Sequence, residues 1–587
     1  MNSTVGQHVS PLSLPLAQHT VIFWILSVTL PLVVISYWSG YRRIAAGEPP
    51  LVPYLLPWLG HGMAFMNDIN GFTEWVRSQH PDSPAATVQV AGQHLYLVFD
   101  TKLASQIYRR SKNFIFDPFN LMTWGIIGAN RSDLEILEMG AQVEKRTPGF
   151  QDDGRRVLYD LHRMSGPALT GESLNRLTSL FIDTICKEID TTFPENDDAS
   201  YEWVRMDLGE FVKKTWTRAS IVALFGSHIF TIWPRIEDWL WEFDEHFQSL
   251  LTKMPRFMLP KAWALRDEAW EFLEKWEDEA LAAEKRGEIK ETDDWDPYWG
   301  LQWVAVRAKY LIKQGISAKA RAGNESVFLW GLNANTIPIA MQVMNQAVLS
   351  PTLLSTLQAE ISSAQTGPNT FNMAAVTTAP KLKSVLLESL RWATASPSPR
   401  VVREDCQLGE YKLLKGSMVI VHSRTLQMDA RTWAIDGVPG SAPEEFWAER
   451  FLDGDEREEE NRIEENREAE TEYAAETFAQ TQAQAQARSE TAKPHKIVEP
   501  ISGPKSKEMQ QRMLSMRPFG GGTTLCPGRH FATNEILGGL AALLLRLDVK
   551  IDEEALEKNG APVPNLGKQG GLFPDRGLGV WIRRRRV

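Results

Sequence analysis

With 587 residues the chain exceeds one average domain and can bury a large core. Its 43% hydrophobic content and 21 tryptophans argue for a globular body, and its three cysteines, Cys186, Cys406 and Cys526, form neither a zinc spacing nor a disulfide framework, which fits a body facing a reducing compartment. The net charge of −11 is concentrated in Asp455–Glu476, which holds 11 acidic and 3 basic residues, so overall acidity says little about the rest of the chain and nothing suggests nucleic-acid binding.

Thr20 to Trp38 is a run of 19 residues without a charge, about enough to cross a hydrocarbon core as a helix. Pro31 would kink that helix, which membranes tolerate. Arg42 and Arg43 follow the run and no Lys or Arg precedes it. The positive-inside rule then places the N-terminus in the lumen and the body in the cytosol. Residues 1–45 are expected to be a lumenal tail and anchor, and residues 46–587 the body. A cleaved signal peptide is disfavoured by the long apolar run and the absence of a basic leader. Pro49, Pro50, Pro53 and Pro57 then keep the anchor helix from running into the body.

Within the body, Thr87–Val90 and Gln93–Phe99 predict a β-hairpin around Ala91-Gly92. Long helical patterns follow at Leu208–Phe225, Ala262–Arg286 and Ser326–Ser350, and strand-like pieces return at Cys406–Val421 and Val549–Trp581. The expected class is mainly α with minor β. In the third helix, Asn335 and Thr336 precede Pro338, which breaks helical hydrogen bonds locally. Glu388 and Arg391, three apart on a helix beginning near Lys381, share a face and can pair. Pro443–Phe451 holds Arg450. Asp453 to about Lys507 is acidic, then Gln/Ala-rich, and too polar to offset its ordering entropy, so a solvated insertion is expected. Arg583–Arg586 reads as a solvated chain end.

The densest signal lies in Phe519-Gly-Gly-Gly-Thr-Thr-Leu-Cys526-Pro527-Gly528-Arg529-His530-Phe531-Ala532. A lone cysteine stands between a glycine-rich turn and an apolar helix running from about Gly528 to Leu547. Glycines let backbone N–H groups approach the sulfur. Pro527 has a φ preset for a helix start and no N–H of its own, so the N–H groups of Gly528 and Arg529 are the candidate donors to sulfur. The positive end of the helix dipole lies nearby, and the setting is expected to favour thiolate. One thiolate without other ligands suits a single axial position on a haem iron.

This segment resembles the haem-binding loop of the cytochrome P450 family: Phe519, Gly522, Cys526, Gly528 and Ala532 occupy every position of the family pattern. The resemblance spans the anchor to the C-terminus and excludes only the insertion. It implies haem b, iron protoporphyrin IX, with Cys526 as axial ligand. It also implies a buried charge network of Glu388, Arg391 and Arg450 on the proximal side. Thr336 matches the threonine of an acid–threonine pair beside the oxygen site. Asn335 stands where the family has the acid; it cannot titrate, but with Thr336 it could hold water in a relay. Arg400, in Ser396-Pro-Ser-Pro-Arg400, is the expected cation for one haem propionate. A Trp-x-x-x-Arg element for the other is missing, with His162 or Arg163 as substitutes. Microsomal members carry a proline-rich hinge where Pro49–Pro57 lies.

Local wording is similar to the branch holding sterol 7α- and 12α-hydroxylases and prostacyclin synthase, notably Ala334-Asn-Thr-Ile-Pro338 and Arg576-Gly-Leu-Gly579. The implied activity is monooxygenation of a lipophilic substrate, such as a sterol, terpenoid or other specialised metabolite, with O2. No Rossmann or flavin fingerprint occurs, so electrons from NADPH are expected through NADPH-cytochrome P450 reductase at the endoplasmic reticulum membrane. Two alternatives stay open. Asn335 also fits a haem-thiolate isomerase or dehydratase of prostacyclin-synthase type that needs no reductase. A membrane-anchored haem or sterol sensor would bind without turnover.

Overall fold

The structure is a computed structural model that describes residues 23–24, 26–34, 47–54, 56, 58–142, 154–195, 197–290, 293–435, 438, 440–452 and 507–586. In chain order it forms helix α1 (Ile69–Gln79), strands β1 (Ala85–Val90), β2 (Gln93–Val98) and β3 (Phe114–Ile115), helix α2 (Gly171–Thr192), strand β4 (Val204–Asp207) and helices α3 (Leu208–Phe225), α4 (Ile236–Leu251), α5 (Pro260–Arg286), α6 (Ala318–Asn333), α7 (Thr336–Leu349) and α8 (Pro380–Trp392). Strands β5 (Thr394–Ala395), β6 (Pro397–Val402) and β7 (Met418–His422) follow, then helix α9 (Arg529–Arg546) and strands β8 (Leu547–Ile551), β9 (Gly570–Gly571) and β10 (Gly579–Arg584). Helix predominates, as expected from the sequence.

The chain divides into two compact units. The first takes the chain up to Phe116 together with Pro397–His422. Its five strands run in the order β1-β2-β7-β6-β3, all neighbours antiparallel except β7 beside β2. The expected hairpin is β1–β2, and Ala91-Gly92 is its turn. Val88, Leu95, Leu97 and Ile420 face one apolar layer with Phe72 and Val76 of α1, the period-2 and period-3.6 faces meeting as strand and helix geometry requires.

The second unit is mainly helical. Asp207 caps α3 by accepting from the Glu210 N–H, and Pro260 supplies the preset φ at the start of α5. Helices α7 and α9 are apolar nearly all round, pack on each other and are buried, which is the pattern of a core helix rather than a surface one. Trp216, Trp233, Trp239, Trp276 and Trp299 are fully buried in the same core.

The expected continuous helix Ser326–Ser350 is broken into α6 and α7 at Ala334 and Asn335. The break lies one turn before Pro338, because a proline both lacks the N–H for, and clashes with, the carbonyl four residues earlier, here that of Ala334. The reading of Arg583–Arg586 as a solvated end is corrected. Strand β10 pairs with β8 and β4, and it turns Arg584 inward, where Nη1 donates to Asp190 Oδ1 (2.9 Å) and to the Phe193 carbonyl (2.5 Å). Arg583 and Arg585 pair with Asp548.

Among the described residues no helix is long and apolar enough to cross a membrane. The expected anchor is described only at 23–24 and 26–34, which are helical with exposed Phe23, Trp24 and Leu26. The remainder of that run, and the insertion over 453–506, lie outside the described residues.

Candidate functional site

Cys526 is seated by its own backbone. Its N–H donates to the Phe519 carbonyl (3.0 Å), closing the glycine-rich turn. Gly522, at φ +67°, sits in the left-handed region there, which a side chain disfavours. Phe519 anchors the turn by packing on the main core. Pro527 and Gly528 lead straight into α9, so the N–H groups of Gly528 and Arg529 stand beside the sulfur and act to hold its pKa down. A Cβ at Gly528 would stand 3.8 Å from Sγ, in ordinary contact. The expected preference for thiolate is corrected for the protein by itself. Burial pushes the Cys526 thiol up, and the two N–H groups and the Arg529 charge only partly oppose it.

Glu388, Arg391 and Arg450 form one buried cluster. Glu388 and Arg391 sit one turn apart on α8 and meet through two bonds of 2.7 Å. Arg450 Nε reaches both Glu388 oxygens at 3.0 Å. The Trp447 N–H donates a further bond to Glu388. Each guanidinium also collects carbonyls: Arg391 those of Gln427 and Pro443, Arg450 those of Trp433, Ser441, Ala442 and Glu445. Burial works against the Arg450 charge and Glu388 supports it. The cluster therefore ties α8 to the whole stretch from Gln427 to Arg450.

Sequence reasoning missed Gln427. Its amide donates to the carbonyls of Leu390 and Arg391, and its Oε1 accepts from the Arg517 N–H, two residues before Phe519. The charge cluster is thereby connected to the turn that carries Cys526. No local pattern marks this residue, because its partners lie far off in the chain.

Asn335 and Thr336 stand at the break between α6 and α7. Thr336 is buried, and its hydroxyl takes no hydrogen-bond partner among the described residues. Asn335 is exposed, as is Gly331 one turn before it, although α7 directly after them is largely buried. Nothing lies within 4 Å of where a Cβ on Gly331 would be, so this face borders open space.

Arg400 belongs to the first unit. It is buried in β6, donates through Nη1 to the Pro399 carbonyl (2.6 Å) and lies over the rings of Tyr108 and Phe116. His162 and Arg163 are both exposed on the helix Val157–Ala168.

A family model described as Cytochrome P450 matches residues 144–467, a span that holds the helix break and the charge cluster and stops before the cysteine turn. The chain is 25% identical over 589 residues to the cytochrome P450 monooxygenase calL of Penicillium decumbens, covering 97% of this chain and 98% of that one. It is 28% identical to the cytochrome P450 monooxygenase fsoE of Humicola fuscoatra, covering 94% and 91%. It is also similar, at 21% identity and with 87% and 89% covered, to a cholesterol 7-alpha-monooxygenase of Cricetulus griseus.

Proposed function

The chain belongs to the cytochrome P450 family of haem b monooxygenases, and we propose that it oxidises a lipophilic substrate with O2, using Cys526 as the axial ligand of the iron. The seat of Cys526 carries this reading. A lone sulfur stands at the start of α9, beside the N–H groups of Gly528 and Arg529. Among the described residues no group of three His, Cys, Asp or Glu could hold a bare metal ion. That donor set suits an iron already held by a porphyrin and in need of one axial sulfur, and it does not suit zinc, which takes three or four protein ligands.

When bound, the haem supplies oxygen activation, which a thiolate favours by pushing electron density toward the O–O bond. The Gly528 and Arg529 N–H groups draw charge from Sγ and moderate that donation. Burial favours the thiol in the protein alone, so binding a haem iron through Cys526 would release that proton. Thr336, with an unengaged hydroxyl at the helix break, can hold water and pass a proton there. For Arg400, buried in the first unit, a role toward a cofactor carboxylate rests on the family resemblance. Glu388, Arg391 and Arg450 keep rigid the stretch that Gln427 joins to the cysteine turn.

The substrate class we infer is a sterol, terpenoid or other specialised metabolite. A cholesterol 7-alpha-monooxygenase among the relatives and the apolar Thr20–Trp38 run support lipophilicity. That run, followed by Arg42 and Arg43, supports a single-pass anchor in the endoplasmic reticulum membrane with the body cytosolic, within reach of NADPH-cytochrome P450 reductase. Asn335 in the acid position favours a second reading, an isomerase or dehydratase of prostacyclin-synthase type. Dependence of turnover on NADPH and reductase separates the two. The first test is spectroscopic: the reduced, CO-treated protein should show the red-shifted Soret band of a sulfur-ligated haem, and Cys526→Ser should abolish it. A spectrum unchanged by that substitution would refute the ligand assignment.

A further inference from the structure

The Asn335 side chain is already engaged, and with a partner other than Thr336. Its Oδ1 accepts a hydrogen bond of 2.9 Å from the Gly571 N–H in β9. A backbone N–H can only donate, so this bond fixes which way the amide faces: oxygen to the strand, nitrogen away from it. The approach is close. A Cβ at Gly570 would stand 2.4 Å from Asn335 Oδ1, and one at Gly571 would stand 2.4 Å from the Asn335 carbonyl oxygen. Only glycines let this strand lie against the break.

The same strand is held at two further points. Gln342 of α7, itself fully buried, donates through Nε2 to the Leu572 carbonyl (3.0 Å). The Leu572 N–H donates to the Ala393 carbonyl (2.8 Å) at the end of α8, and β9 pairs with β5 directly after it. The break, the C-terminal strand and the helix of the charge cluster are thus one hydrogen-bonded assembly. The side chain of Asn335 is its exposed member, on the face shared with Gly331.

We propose that Asn335 is a positioning residue that clips strand β9 to the helix break through its carbonyl, leaving proton handling at the break to Thr336 alone. This rests on the family reading for the meaning of the break, and it replaces the shared water relay that the sequence suggested for Asn335 and Thr336. Asp at this position would keep an acceptor for the Gly571 N–H, so the clip survives Asn335→Asp and is lost in Asn335→Ala.

The test is hydrogen–deuterium exchange on the full-length, haem-loaded protein. Loss of one such bond raises the exchange rate of the Gly571 amide by about tenfold in Asn335→Ala. The Leu572 amide, bonded to Ala393, keeps its rate, and Asn335→Asp restores protection of Gly571. Unchanged Gly571 exchange in Asn335→Ala, equal loss at both amides, or failure of Asp to restore protection would each overturn the clip. A second readout is the pH profile of NADPH consumption with reductase and no added substrate. It keeps its wild-type shape in Asn335→Asp, whose carboxylate is held by Gly571, whereas a new ionisation limb would restore Asn335 to the relay. If wild-type protein lacks the red-shifted CO band, the family reading of the site fails, while the exchange comparison still decides the clip.

Discussion

Removing the Arg450 side chain should destabilise the protein by about 3–5 kcal/mol, the range for breaking a buried ion pair from one side. Arg450 and its partner Glu388 are both fully buried. Truncation to Ala deletes the two 3.0 Å bonds to Glu388. It also strips a donor from the carbonyls of Trp433, Ser441, Ala442 and Glu445. Glu388 would keep Arg391 and the Trp447 N–H, so it is not left as a bare buried charge. The Glu445 carbonyl keeps Arg391 Nη2 and the Ala442 carbonyl keeps the Glu445 N–H, so most of the loss falls on the carbonyls of Trp433 and Ser441, each orphaned buried group costing ~1–3 kcal/mol before relaxation. Arg450→Lys keeps the charge but cannot fork to all four, and should lose about 1–3 kcal/mol. Arg431→Ala, which removes an exposed guanidinium paired with a half-buried Asp429, is the control and should lose under ~1 kcal/mol. Guanidinium unfolding followed by tryptophan fluorescence ranks the three, with Trp433 and Trp447 close to the perturbation. Equal midpoints for Arg450→Ala and Arg431→Ala would refute the reasoning, since burial and the carbonyls it engages set Arg450 apart from Arg431.

Pro527→Ala adds a backbone N–H beside the Cys526 sulfur and should raise the haem reduction potential in spectroelectrochemical titration; equal potentials would show that the new donor does not reach sulfur. Arg584→Ala should cost about 1–3 kcal/mol through loss of the Phe193 carbonyl bond and the Asp190 and Glu195 pairs, discounted because both acids are half exposed or more; a variant as stable as wild type in thermal melts would return the arginine run to a solvated role. Burial lifts the Glu535 carboxyl in α9 well above the ordinary glutamate range. Its contribution to stability is therefore full below about pH 4.5 and declines as pH rises toward the folded value. Glu535→Gln should gain stability relative to wild type between pH 5.5 and 8, and parallel denaturation profiles at the two pH values would contradict this.

Local signals carried far in this chain, and they stopped where partners come from a distance. Leu208–Phe225 was legible to the residue because an apolar stripe and an Asp207 cap act within single turns. The cysteine turn was legible for the same reason: glycine, proline and a helix start are neighbours in sequence. Pro338 signalled a break, whose position one turn upstream follows from the carbonyl it displaces. Arg583–Arg586 misled because four identical side chains hide the alternation of a strand. Only Asp190 and Glu195, nearly 400 residues earlier, reveal which one turns inward. Gln427 and Gly571 were silent for that reason too. Even the state of the Cys526 thiol depended on this: the N–H donors are local and were foreseen, whereas the burial that outweighs them is made by the whole core.

The placement of Thr336 and Cys526 follows from one constraint on core helices. Thr336 is the first residue of α7, and Cys526 lies three residues before the first of α9. These are the two helices buried on nearly every side. Along their interiors each backbone group is bonded within the helix, and a polar side chain there is costly unless it finds a partner. Gln342 and Asn345 illustrate that cost, since each keeps one buried amide oxygen without a partner among the described residues. Chemistry that needs free N–H groups therefore falls at the helix starts, where the first N–H groups have no intrahelical acceptor. At α9 those N–H groups face a sulfur. At α7 the start exists because Pro338 breaks what would otherwise be one long helix. Replacing Pro338 by Ala should then favour continuity across Ala334 and Asn335 and pull Asn335 from Gly571. Faster Gly571 amide exchange in Pro338→Ala would bear this out, and undiminished protection would show that the strand, and not the proline, holds the break open.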